Sequence, residues 1–201
     1  MTLPLLMPRI STITRKTKET DIVLELNLDG SGASTVETGI PFFDHMLDLF
    51  ARHSLIDLRV HAKGDIAVDY HHTVEDVGIV LGAALLEALG DKSGINRYGS
   101  AYVPMDEALA RVVVDFSGRP CFAYTGPTQL AAVRDFGFHL VPEFLRSFAS
   151  SGKLNLHAAV LAGDEPHHVA EALFKALARA VDTACRLDPR RTGIPSTKGV
   201  L

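Results

Sequence analysis

Apolar residues recur along this chain at two spacings, and the way those spacings alternate divides it into two similar halves. Residues 10–14 alternate as a short strand, and beyond the charged run at 15–20 the residues Ile22, Leu24, Leu26 and Leu28 repeat at every second position. A period of two belongs to a strand with one buried face. Asp29-Gly30-Ser31-Gly32 is a strong turn signal, so a hairpin partner is expected at about 33–38. Pro41 then opens a helix carrying Phe42, Met46, Leu49, Phe50 and His53. Residues 55–62 alternate again, 66–70 read as a further strand, and a helical run starts at His71 and stops at Gly90.

The second half repeats this order. Residues 108–116 form a strand, Ser117-Gly118-Arg119-Pro120 the turn and 121–124 a returning strand, followed by a helix over 140–150 and a strand over 154–161. A last helix carries Val169, Leu173, Leu177 and Val181. Phe42, Met46, Leu47 and Phe50 match Leu140, Phe144, Leu145 and Phe148 at one constant offset, and Leu28-Asp29-Gly30 match Phe116-Ser117-Gly118 at another. This implies an internal duplication, with repeats at about 9–92 and 93–187, one shared core and a loop-like tail at 188–201. The expected fold class is α+β. Each half supplies a small, mainly antiparallel sheet and two helices, and the helices pack together between the sheets.

Composition narrows the function classes. With 201 residues, 47% of them hydrophobic, the chain can bury a sizeable core, and a net charge of −4 without a basic run argues against a nucleic-acid surface. Cys121 and Cys185 are its cysteines, too few for a disulfide framework or a thiolate metal site, and they suit a reducing compartment. The apolar patch at 1–10 is short and broken by prolines, which does not make a secretory signal, and no stretch approaches the ~18 apolar residues of a membrane span. The expected setting is cytoplasmic, and the expected partner a small molecule.

The candidate chemistry sits where the two long helical runs begin. His71-His72-Thr73-Val74-Glu75 and His167-His168-Val169-Ala170-Glu171 are one pattern written twice. On a helix either His can share a face with the Glu, but adjacent side chains project about 100° apart, so the two His of a pair must point to different places. Two such pairs suggest two metal sites with contributions from both repeats, and imidazole with carboxylate is a suitable donor set.

Several strings in order resemble the imidazoleglycerol-phosphate dehydratase family of histidine biosynthesis: the run at 15–20, Phe43-Asp44-His45-Met46-Leu47, Asp69-Tyr70-His71-His72-Thr73-Val74-Glu75-Asp76, Val103-Pro104-Met105-Asp106-Glu107-Ala108, Ser117-Gly118-Arg119-Pro120 and Pro195-Ser196-Thr197-Lys198-Gly199-Val200-Leu201. The resemblance implies a manganese-dependent lyase that removes water from D-erythro-imidazole-glycerol phosphate to give imidazole-acetol phosphate. It implies two Mn²⁺ per subunit, a metal-bound imidazolate, and a homo-oligomer of about twenty-four subunits with active sites between them, where a neighbour orders the tail. Matched by position, His45, His71, His72, Glu75, His167, His168 and Glu171 are metal ligands. Glu143 stands where many members carry His, and is kept as a ligand with His139 as the alternative. Arg97, Arg119, Lys175, Ser196 and Lys198 match the phosphate-binding set, and Glu19 the proton-transferring carboxylate. Asp106 falls with Glu107 at the internal counterpart of Glu19, and His45, His71 and Asp106 join it as catalytic candidates, with His53 against the substrate.

Two other readings stay open on sequence alone. Helical His/Glu pairs also build storage or sensing sites, although there the usual order is Glu-x-x-His on long helices. A metallohydrolase would use the same ligands to activate water, but leaves the cation set and the terminal Ser-Thr-Lys without a role.

Overall fold

The computed structural model describes residues 8–201, so most of the N-terminal apolar patch lies outside the described residues. In chain order the elements are β1 (Ile10–Lys16), β2 (Thr20–Asn27), β3 (Ser34–Glu37), α1 (Pro41–Ser54), β4 (Asp57–Gly64), α2 (His71–Leu89), β5 (Tyr98–Met105), β6 (Ala108–Asp115), β7 (Cys121–Thr125), α3 (Leu140–Ser151), β8 (Asn155–Ala162) and α4 (Pro166–Cys185). They form two four-stranded sheets of identical topology, β1-β2-β4-β3 and β5-β6-β8-β7. Alternation is the cause in each central strand: Ile22, Leu24 and Leu26 of β2 face inward, as do Ala110, Val112 and Val114 of β6.

The inner faces of the sheets are covered by helices. α2 lies on β1 and β2, α4 lies on β5 and β6, and the helices cross between halves, α1 against α4 and α3 against α2. This is the expected α+β arrangement, with helices packed between the sheets. A seam of aromatic rings runs through the middle and joins the repeats, with Phe144 5.0 Å from Phe174 and Phe50 6.2 Å from Phe148. Buried apolar residues of both halves form one continuous cluster. Two glycines let helix backbones approach closely. A Cβ on Gly82 would lie 2.4 Å from the Phe148 carbonyl oxygen on α3, and one on Gly99 only 1.9 Å from that of Ala180 on α4.

Three local expectations are corrected. Residues 33–38 do supply a strand, but β3 pairs parallel to β4 instead of forming a hairpin with β2. The cause is Asp57, whose carboxylate accepts the N–H groups of Ser31 at 2.8 Å and Ala33 at 3.0 Å and so carries the loop across to the far side of β4. The returning strand β7 is likewise parallel to β8. Residues 66–70 form no strand: β4 ends at Gly64, Val68 N–H closes a turn onto the Asp65 carbonyl at 2.7 Å, and Ile66 and Val68 stay exposed. Conversely β5, the counterpart of β1, is barely readable, because its first two inward residues are Gly99 and Ala101.

The tail forms turns laid back along its own chain. Gly94 N–H donates to Gly193 O at 2.9 Å, the Arg97 guanidinium to Pro195 O at 3.0 Å, and Leu201 lies over Gly118.

Candidate metal and substrate site

At the start of α4, Pro166 occupies the first turn and the Glu165 side chain accepts the His168 N–H at 2.7 Å, which fixes the helix N-terminus. His167 and Glu171 stand one turn apart on the same face, and α1 packs alongside so that His45 joins them. His45 Nε2 lies 3.1 Å and His167 Nε2 2.9 Å from the same Glu171 oxygen. The three donor atoms all lie within 4.8 Å of one another. Lys175, one turn further along α4, donates to the other Glu171 oxygen at 2.5 Å. Burial pushes the Glu171 carboxyl up, but the hydrogen bonds from Lys175, His45 and His167 outweigh it and hold the pKa at about 2. This donor set fits a divalent cation. Two imidazoles and a carboxylate kept ionised already converge, and a metal needs its carboxylate ligands deprotonated. His53, further along α1, is held below the usual imidazole range by burial and by the facing charges of Lys175 and Arg179.

The matching corner lies at the start of α2. His71 Nε2 is 3.8 Å from Glu75, while His72 turns away: its Nδ1 lies 3.0 Å from Asp65, and its Nε2 3.8 Å from Glu19. The adjacent side chains diverge as the helical geometry requires: His71 meets Glu75 while His72 meets Asp65, and His167 meets Glu171 while His168 meets Glu107. His168 meets the hairpin between β5 and β6, with Nδ1 2.8 Å from Glu107 and Nε2 3.8 Å from Asp106. The hairpin that carries Glu19 is held by a buried acid on α2. Asp76 accepts from the Arg15 guanidinium at 3.0 Å and the Thr20 hydroxyl at 2.5 Å, tying the β1–β2 hairpin to the helix. Glu143 pairs with Arg146 at 2.8 Å, whereas His139 and His71 line one cavity of about 260 Å³ with Asp69, Tyr70 and Asp135.

The expected phosphate set divides. The Arg97 guanidinium clamps Asp115 at 2.7 Å and the tail at Pro195, and stacks on Tyr98 at 4.7 Å. Ser196, whose hydroxyl accepts the Lys198 N–H at 3.2 Å, follows directly. Arg119 adjoins Gly118, against which Leu201 rests. Arg97 and the tail at Pro195 lie at the C-terminal end of α4, where Arg97 N–H bonds Ala184 O. Lys175 stays with Glu171 near the other end. Thirteen residues separate Glu171 from Ala184, which is roughly 20 Å along the helix. Asp65 belongs to none of the sequence patterns, and only its contact with His72 draws it into the site.

A family model described as imidazoleglycerol-phosphate dehydratase matches residues 38–181. The chain belongs to that family. Imidazoleglycerol-phosphate dehydratases of Pelobacter propionicus and Thermoanaerobacter pseudethanolicus are 56% and 57% identical to it over 97% and 96% of its length, and over the whole of theirs. Among solved structures, the Staphylococcus aureus imidazoleglycerol-phosphate dehydratase superposes with a TM-score of 0.81 at 39% identity, covering 89% of this chain and 99% of that one. The Pyrococcus furiosus structure also reaches 0.81, at 36% identity over 94% of this chain and all of that one. Family membership makes the chain a hydro-lyase. No helix among the described residues is long and apolar enough to cross a membrane.

Proposed function

We propose that this chain dehydrates D-erythro-imidazole-glycerol phosphate to imidazole-acetol phosphate in histidine biosynthesis, using two Mn²⁺ ions per subunit and active sites assembled between subunits. What carries this reading is the convergence of His45, His167 and Glu171 within 4.8 Å while the neighbouring His168 points elsewhere. One ion would take that trio as ligands. The other would take His71 and Glu75, with His139 or Glu143 beside them. His72 and His168 aim outward toward hairpin acids and would reach ions centred on a neighbouring copy. The roughly 20 Å along α4 between Glu171 and Ala184, where Arg97 is anchored, supports the same assembly, because it keeps a chain's own Arg97 away from its own Glu171. A closed homo-oligomer of about twenty-four copies would supply such junctions. We read the chain as one domain of two repeats, about 9–92 and 93–187, with its tail completing the phosphate site, working in the cytoplasm.

When bound, the divalent ions supply Lewis acidity that holds the substrate's ring nitrogens and stabilises charge on the ring. The chain's own residues do the rest. Arg97, Arg119, Ser196 and Lys198 of one corner, with Lys175 of another, hold the phosphate through guanidinium forks, an ammonium and a hydroxyl. Glu19 accepts the proton from C2 of the glycerol chain, which no adjacent carbonyl acidifies. Its hairpin is pinned by Asp76, which fixes the backbone that carries it. The C3 hydroxyl leaves with a proton as water; with His45 and His71 taken up as ligands, Asp106 is the catalytic candidate free to pass that proton, and His53 lies against the substrate. The enol so formed becomes the ketone by proton transfer to carbon.

The test is turnover of the pure assembled protein, stripped of metal and reloaded with Mn²⁺. Formation of imidazole-acetol phosphate that depends on the metal is the expected result. Release of inorganic phosphate without dehydration would favour a metallohydrolase, and saturable metal uptake with no turnover a storage protein.

A further inference from the structure

The two outward-pointing histidines share an arrangement built from different parts. His72 Nδ1 faces both oxygens of Asp65, at 3.0 and 3.2 Å, leaving Nε2 on the side of Glu19 at 3.8 Å. His168 Nδ1 faces Glu107 at 2.8 Å, leaving Nε2 on the side of Asp106 at 3.8 Å. A carboxylate accepts but does not donate, so it selects the tautomer with the proton on Nδ1 and leaves the Nε2 lone pair free. In this way an acid that never touches a cation fixes which nitrogen is offered to it.

The two acids are not equivalent under the internal repeat. Asp65 lies in the turn after β4, with its N–H donating to the Glu19 carbonyl at 3.0 Å, whereas Glu107 lies in the hairpin that corresponds to the one carrying Glu19. Where Asp65 serves His72, the hairpin acid Glu19 is left on the Nε2 side. In the other half the place matching Asp65 is Gly163; Glu165, two residues on, comes only to 3.8 Å of His168 Nδ1, and the hairpin acid Glu107 lies closer, at 2.8 Å, while Asp106 stays on the Nε2 side. The sequence equivalence of Glu19 and Glu107 therefore does not extend to their tasks.

We infer that Asp65 and Glu107 are positioning residues that lock His72 and His168 in the Nδ1-protonated tautomer, and that capture of His168 by Glu107 takes Glu107, the repeat counterpart of Glu19, out of proton transfer and leaves only its neighbour Asp106 on the Nε2 side. This rests on the metal reading above. Asp65 would then serve two ends, since its side chain orients His72 and its backbone N–H holds the Glu19 hairpin.

The experiment is a Mn²⁺ titration of the assembled full-length protein, with free Mn²⁺ counted by its EPR signal, for wild type, Asp65→Asn and Glu107→Gln. Ring ¹⁵N shifts of the metal-free proteins are recorded above the pH at which these histidines become neutral. The expected result is a loss of Mn²⁺ affinity of roughly 10–100-fold in each variant, together with a shift of the affected histidine away from the Nδ1–H form. Wild-type affinity in both variants overturns the inference, as does weakened binding with the Nδ1–H tautomer retained, since the acid would then act only through the fold. Failure of wild type to bind Mn²⁺ at all would remove the metal reading itself, a distinct result. A Glu107→Gln enzyme that loses turnover at saturating Mn²⁺ as completely as Glu19→Gln would also overturn the division of tasks.

Discussion

Replacing Glu171 with Gln removes one negative charge from the tightest part of the site while keeping its shape. In the native chain burial raises the carboxyl's pKa, but the donors Lys175, His45 and His167 overcome it and leave the value at about 2 against an ordinary 4.5. At roughly 1.36 kcal/mol per pH unit, that difference is worth at most about 3 kcal/mol of linked stability, since water at the helix end screens part of it. The sign follows from the direction of the shift. A carboxyl with a depressed folded pKa contributes its full share above its unfolded pKa, near 4.5, and loses it as the pH falls from there toward 2. The assay is urea unfolding of metal-free protein at fixed subunit concentration, with wild type and E171Q compared at pH 7, 5 and 3. The variant is expected to be less stable by about 2–3 kcal/mol at pH 7 and 5, with the gap shrinking to about half by pH 3. A gap of the same size at all three values, or none at pH 7, would refute the charge-linked account.

Glu19→Gln is expected to lower turnover by a factor of about 10² or more, the usual share of a positioned acid or base, with KM and bound metal nearly unchanged; retained turnover in a steady-state assay would remove its role. Arg97→Ala should raise KM for the phosphorylated substrate far more than it lowers kcat and expose the tail from Pro195 onward to protease, read by kinetics and limited proteolysis. Gly99→Ala should destabilise the fold by about 1–3 kcal/mol in thermal unfolding, because its methyl group meets the α4 backbone; an unchanged Tm would contradict that packing.

Much of the fold is legible in the sequence because its repeats are strongly periodic. The alternation of β2 and β6 and the helical faces of α1 and α3 are carried by large residues such as Ile22, Val112, Phe50 and Phe148, whose burial leaves little choice of face. What stays hidden depends on single long-range contacts. Asp57 redirects the loop after Gly30 and so turns an apparent hairpin into a parallel pair, and nothing near residue 30 announces an acid at 57. β5 is faint for the opposite reason: Gly99 is selected by the α4 backbone and not by strand propensity.

The site divides in the same way. Helical geometry alone implies that adjacent histidines diverge, and at both helix starts the two reach different carboxylates. Local spacing does not disclose that His45 joins His167 and Glu171, nor that His72 leans on Asp65, because α1 must pack on α4 and the chain must turn after β4 before those atoms meet. The separation of Lys175 on α4 from Arg97 before β5 is also invisible in the sequence, where both are simply cations.

The most direct test of the account is anomalous diffraction at the manganese edge from crystals of the Mn²⁺-loaded assembly. The account requires two manganese peaks per chain, one bound by His45, His167 and Glu171, with His71 and His72 on different ions and ligands from more than one copy at each. A single peak per chain, or both histidines of one pair on the same ion, would contradict it.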